Sequence, residues 1–120
     1  MTLTAEQIRW FRLRRSGLVE PFATPKEAAS QLVGVQAQIL PAAGLALWNR
    51  TPDLSHARYK ELLYEERTLV KLWAQRGTLH LYASTEWPLI HGALSGKRTW
   101  WERKTIKENG DATAYKELIA

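Results

Sequence analysis

Cysteine is absent from all 120 residues. That excludes disulfides and thiolate metal sites, and it fits a reducing compartment. Histidine is scarce: His56, His80 and His91 lie far apart and share no ligand spacing. No metal and no cofactor is therefore expected. No apolar run approaches the roughly 18 residues that a bilayer span requires. Met1 to Glu6 lack the charged-then-apolar layout of a secretory signal. A cytoplasmic chain with no membrane partner is the expectation. The common catalytic signatures are missing too. There is no Gly-rich phosphate loop, no Gly-x-Ser-x-Gly, no helix-spaced His pair, no internal repeat and no low-complexity tract.

What is present is a globular composition, 45% hydrophobic and 24% charged, with a net charge of +5. A basic small domain attracts polyanions, nucleic acid first among them, although solubility alone would call for the same excess. Clustering favours nucleic acid. Arg9, Arg12, Arg14 and Arg15 fall in one stretch opposed only by Glu6. Lys97, Arg98, Arg103, Lys104 and Lys107 form a second, opposed by Glu102 and Glu108.

Local signals order the chain into short helices followed by strands. Thr4-Ala-Glu-Gln7 reads as a capping box, opening a helix that runs to about Ser16 and ends at Gly17. Ile8, Phe11 and Leu18 share a face of it, with Trp10 and Leu13 pointing elsewhere. Thr24-Pro-Lys-Glu27 marks a second start, and Gly34 stops that helix after Val33. Pro41 opens a third, Ala42 to Asn49, with small residues for close approach and Leu45 and Trp48 as core candidates. A fourth begins near Asp53 or Ser55 and reaches about Arg67, with Tyr59, Leu62 and Leu63 inward. Glu61, Glu65 and Glu66 make its end a solvated one.

The period then changes. Thr68 to Trp73 and Thr78 to Tyr82 are rich in β-formers and flank Ala74-Gln-Arg-Gly77, which predicts a hairpin. Leu79 and Leu81 face one side of the second strand, and Thr78, His80 and Tyr82 the other. Ser84 caps a helix through Trp87, Leu89, Ile90, Ala93 and Leu94, which continues past Gly96 into the basic stretch ending at Gly110. The expected fold is mainly α with a β-hairpin, a winged helix-turn-helix. The expected divisions are a winged-helix domain over 1–95, a basic connecting helix over 96–110 and the start of a following domain over 111–120.

One local feature carries chemistry. In Gln31-Leu-Val-Gly-Val-Gln-Ala-Gln38, two glutamines two apart follow a helix-stopping glycine. If residues 35 to 39 are extended, Gln36 and Gln38 project to one side, while Val35, Ala37 and Ile39 enter the core. Two surface glutamines on a turn would be the plain alternative. Arg76 at the hairpin tip is either a phosphate contact or a turn-closing arginine. His80 either points at DNA or bonds within the domain. Trp100 and Trp101 beside Arg98 and Arg103 either stack on bases or fill a core.

The run Gly34-Val-Gln-Ala-Gln38, the segment Leu45-Ala-Leu-Trp-Asn-Arg50, Glu66-Arg-Thr-Leu-Val70, Trp73 and Arg76-Gly-Thr-Leu-His80 together resemble the YcaQ/AlkZ-like winged-helix DNA glycosylases. The resemblance covers about the first ninety residues. It implies tandem winged-helix domains and a C-terminal β-rich domain, of which these residues would be the N-terminal portion. It also implies excision of N7-alkylated purines, including interstrand crosslinks, from double-stranded DNA by a monomeric protein. Gln-x-Gln is the catalytic motif of the AlkZ-like branch, which carries the catalytic role to Gln36 and Gln38. Leu40 departs from the pattern, standing before Pro41 where a polar cap is expected. The nucleic-acid contacts expected with this reading are Arg12, Arg14, Arg15, Arg76, His80, Lys97 and Arg98. A sequence-specific regulator with the same fold and no chemistry, or a protein-binding winged helix, is the rival reading.

Overall fold

The computed structural model describes residues 2–95 and Glu108. The basic stretch from Gly96, with Lys97, Arg98, Trp100 and Trp101, and the 111–120 segment lie outside those residues.

The opening helix α1 (Ala5–Arg15) has the full capping box. The Thr4 hydroxyl accepts from the Gln7 amide at 3.1 Å, and the Gln7 side chain accepts from the Thr4 N–H at 2.9 Å. None of its residues is buried, so Ile8, Trp10, Phe11 and Leu13 all stand exposed. The helix ends at Gly17 with φ +74°, over the Phe22 ring. Arg50 holds that end in place, donating from Nε to the Ser16 carbonyl at 2.9 Å.

Thr24 caps α2 (Pro25–Gln31), accepting from Glu27 N–H at 3.1 Å. Removing such a cap costs about 1 kcal/mol. Ala28 and Ala29 of α2 are fully buried, and the helix packs across the sheet's middle strand. Side chains this small let the two backbones lie close. Ser30 on the same helix hydrogen-bonds Glu86 near the start of the last helix.

Next come β1 (Val35–Gln36) and α3 (Leu40–Trp48). Here the structure corrects the sequence reading twice. Helix α3 turns Ala43 and Leu47 inward, leaving Leu45 and Trp48 63% and 58% exposed rather than in the core. Ile39, expected inside, is the uncapped N-cap of α3 and is exposed. The close approach expected at the small residues occurs at Gly44, where an added Cβ would lie 2.9 Å from the Tyr59 ring.

Ser55 caps α4 (His56–Lys60), which widens into a π turn at Glu61–Glu65, closed by Glu66 N–H to the Glu61 carbonyl at 2.9 Å. It stops two residues short of Arg67, whose φ of +53° ends the helical run. Tyr59 and Leu62 are buried as expected. Arg58 pairs with Glu61 at 2.9 Å and with Glu66, so the acidic end is partly neutralised by its own helix.

The hairpin is β2 (Leu69–Trp73) and β3 (Leu79–Ala83), joined through a 3-10 turn at Gln75–Gly77. Beyond the expected pair, β1 adds a third antiparallel strand in the order β1-β3-β2. One face, with Val35, Leu81 and Leu69, joins Ala28, Ala37, Leu47 and Leu62 in the core. The opposite face is not simply solvated. His80 and Tyr82 there are also buried, with Tyr82 lying beneath Gly34 in the turn before β1. A 3-10 turn at Ser84–Glu86 leads into α5 (Trp87–Leu94), which buries Ile90 and exposes Leu89. Helices packed on a small antiparallel sheet with a protruding hairpin make this a winged helix-turn-helix. No helix among the described residues is long and apolar enough to cross a membrane.

Candidate functional site

The Gln-x-Gln segment sits on the edge strand, launched by a strained turn. Helix α2 ends at a C-cap Leu32; Val33 then takes φ +53° and Gly34 φ +97°. For a β-branched residue the left-handed region costs about 1–2 kcal/mol, so something else must hold Val33 there. Two contacts do. The Gln75 side-chain amide donates to the Val33 carbonyl. Beneath the turn, the Tyr82 ring occupies the space an added Gly34 Cβ would need, 2.6 Å from its position. Burial pushes the Tyr82 hydroxyl above the ordinary phenol range.

After this turn the chain is extended for two paired residues, Val35 against Leu81 and Gln36 against His80. Alternation follows as expected: Val35 and Ala37 are buried, and Gln36 and Gln38 are exposed. Ala37 donates to the Leu79 carbonyl at 2.8 Å. The ladder then ends in an unusual way. The Leu79 N–H goes to the Gln38 side-chain oxygen, at 3.4 Å. That contact turns the Gln38 amide nitrogen away from the sheet, whereas the Gln36 amide has no partner among the described residues. From the other end, the Tyr59 hydroxyl donates to the Leu40 carbonyl at 2.9 Å and anchors the start of α3. Both flanks of the glutamine pair are thus tied to the domain, while the glutamine ends face outward.

Residues 29–120 match the family model described as DNA glycosylase AlkZ-like. The chain belongs to the AlkZ-like DNA glycosylase family. Among solved structures it is similar to the DNA glycosylase AlkZ of Streptomyces sahachiroi, with a TM-score of 0.76 and 25% sequence identity. The likeness covers 95% of this chain and 31% of that one, so these residues span about a third of that protein's length. No curated protein matches the sequence.

The other expected site residues of this AlkZ-like chain divide into groups. Arg12, Arg14 and Arg15 occupy the last turn of α1 and are exposed. Arg76 is exposed at the hairpin tip with φ +55°. His80 is 5% exposed, with Nδ1 3.1 Å from the Thr78 carbonyl, which is the internal-bonding arrangement and not an open phosphate contact. Lys97 and Arg98 lie outside the described residues. Glu61 is half-buried and Glu65 and Glu66 are exposed at the end of the helix preceding the hairpin, away from the glutamine strand in sequence. The sequence reading missed Gln75, Tyr82 and the α4 hollow. The hollow, of about 520 Å³, lies between α3 and α4 and is lined by Leu45, Trp48, Leu54 and Tyr59. None of its lining residues belongs to β1 or the hairpin. Gln75 was legible only as a hairpin-loop residue, because nothing in local sequence links it to Val33.

Proposed function

We propose that this chain is the N-terminal winged-helix portion of a monofunctional glycosylase that hydrolyses the N-glycosidic bond of N7-alkylated purines in duplex DNA. Gln36 and Gln38 would hold the attacking water. The observation that carries the reading is the pair of exposed amides flanking fully buried Ala37 on a strand fixed at both ends, in a chain of the AlkZ-like family.

The chemistry suits amides. A glutamine is no Brønsted base, but it offers one acceptor oxygen and two donor hydrogens. With its oxygen on the Leu79 N–H, Gln38 presents donors outward. Gln36 is free to present its oxygen. A water donating to Gln36 and accepting from Gln38 keeps one lone pair for the sugar C1′. This is positioning rather than proton abstraction. It suffices when the base leaves easily, and an N7-alkylpurine is already cationic before the enzyme acts. Unmodified bases, lacking that charge, would be spared.

The site is a strand edge, not a deep pocket. A base tied to the opposite strand by a crosslink cannot swing into an enclosed cavity, and an open edge imposes no such demand. Arg12, Arg14, Arg15 and Arg76, with Lys97 and Arg98 of the following stretch, would bind phosphates. The proposed divisions are 1–95 for this domain, 96–110 for a basic connector and 111–120 for the start of the next domain.

The test is base release from duplex DNA carrying N7-methylguanine, with the full-length gene product and its Gln36→Ala, Gln38→Ala double mutant. Release lost in the mutant with DNA binding retained is the expected outcome. No release by the intact protein from this duplex or a crosslinked one would sink the reading and leave a DNA-binding winged helix.

A further inference from the structure

The pairing of β1 with β3 sets Gln36 directly opposite His80. Opposite residues of an antiparallel pair project to the same face. The next pair, Ala37 and Leu79, carries the ladder bond. Gln36 and His80 therefore form the non-hydrogen-bonded kind of pair, in which the side chains lie closest.

His80 is buried, and its tautomer is determined by its surroundings. Two oxygens face Nδ1, the Thr78 carbonyl at 3.1 Å and the Thr78 hydroxyl at 3.4 Å. The hydroxyl has one hydrogen, and that is directed to the Gln75 carbonyl at 3.1 Å. Nδ1 thus meets two acceptors and must carry the proton. In the neutral imidazole Nε2 is then a lone-pair acceptor, without a partner among the described residues, beside an amide that also lacks one.

We propose that His80 is a positioning residue for Gln36: in the DNA complex its Nε2 accepts a hydrogen from the Gln36 amide nitrogen and so turns the Gln36 oxygen toward the attacking water. The inference rests on the role given to Gln36 above. An amide on an open strand edge has two flip states of nearly equal energy, and only one presents oxygen to the water. An imidazole lone pair repels the amide oxygen and attracts the N–H, which selects that state. The chain Gln75, Thr78, His80 then links the hairpin tip to the orientation of a single side chain.

The experiment measures single-turnover base release by the full-length protein from an N7-methylguanine duplex, for His80→Asn, His80→Gln, Gln36→Ala and the Gln36→Ala, His80→Asn double mutant. Asparagine leaves the Nε2 position empty, whereas glutamine carries its carbonyl to about that place. His80→Asn is expected to slow release about tenfold with duplex affinity unchanged, and His80→Gln to recover most of the loss. In the Gln36→Ala background, His80→Asn should have no further effect. An unchanged rate in His80→Asn, or equal slowing in both backgrounds, overturns the proposal. The side-chain amide NMR signals of Gln36 in the DNA-bound protein give a readout independent of activity. One of its two N–H protons should move on His80→Asn. If the wild-type protein releases no base yet that proton still moves, the pairing stands and the glycosylase reading falls. If the proton does not move, the pairing itself is wrong.

Discussion

Gln75, at the tip of the hairpin, donates its side-chain amide to the carbonyl of Val33, in the turn that launches the glutamine strand. The two residues are 42 apart in sequence. The bond joins the element expected to touch the DNA backbone to the element expected to hold the water. It also helps to keep Val33 in a backbone region that a β-branched residue disfavours. Gln75→Ala should cost about 1 kcal/mol of stability, the ordinary net worth of such a bond. It should also speed amide hydrogen exchange at Gly34 and Val35 more than at Leu81 on the central strand. Uniform acceleration across the sheet would mean that the bond stabilises the domain without holding the turn.

The same turn makes Gly34 intolerant of a side chain for two separate reasons. Its φ of +97° strains any L-residue, and the Cβ would sit 2.6 Å from the Tyr82 ring. Left-handed strain of about 1–2 kcal/mol and overpacking of about 1–3 kcal/mol together predict a loss of roughly 2–5 kcal/mol for Gly34→Ala. Pairing it with Tyr82→Leu removes the clash but not the strain. The double mutant should therefore lose less than the two single losses added. Thermal or urea denaturation of all four proteins tests this, and strict additivity would show that the ring simply moves aside.

How far the sequence revealed this arrangement depends on the range of the signal. Capping residues act over three or four positions. Thr4 and Thr24 cap where the sequence placed them, and Ser55 is the one of the two candidates that caps. Ser84, read as a cap, lies inside a 3-10 turn and makes no capping bond. Alternation acts over two, and Gln36, Ala37 and Gln38 face as expected. The other failures lie where a residue's environment comes from distant chain. Leu45 and Trp48 satisfied helical spacing, but Ala43 and Leu47 on the adjacent face are the ones that meet β1 and α2. His80 and Tyr82 alternate as residues of a half-solvated strand would, yet both are buried, Tyr82 beneath the Gly34 turn and His80 opposite Gln36 of β1. A two-residue strand such as β1 is too short for a periodic signal to announce its pairing.

Arg76 combines an exposed charge with a backbone at φ +55°. Replacing it separates the two. Arg76→Gly relieves about 1–2 kcal/mol of left-handed strain, which is offset by about 0.5–1 kcal/mol of added chain entropy. Stability should rise by about 0–1.5 kcal/mol, the difference between those two terms. DNA affinity, in contrast, should fall for all duplex sequences alike. The slope of log affinity against log salt should become shallower by about 1, as for the loss of one phosphate contact. A slope equal to that of the unmodified protein would place Arg76 off the DNA and make it a turn residue only.

Tyr59 is the residue with the clearest consequence for pH. Its hydroxyl holds the Leu40 carbonyl at 2.9 Å, and burial, with a smaller contribution from Tyr64, pushes its pKa up to about 12. The ordinary phenol value of about 10 applies to the unfolded chain. Because the folded state keeps its proton longer, the unfolded state binds fewer protons above pH 10, and stability falls as pH rises. The Tyr59 contribution is thus complete below about pH 10 and is lost progressively as pH rises toward 12. Tyr59→Phe should cost about 1 kcal/mol at neutral pH through the lost hydrogen bond. It should also show a flatter decline in denaturation midpoint between those two pH values. The gap between the two proteins must therefore narrow across that window. A gap that stays constant from pH 8 to 12 would show that the folded-state hydroxyl titrates as it does in the unfolded chain, and that its bond to Leu40 does not hold the proton.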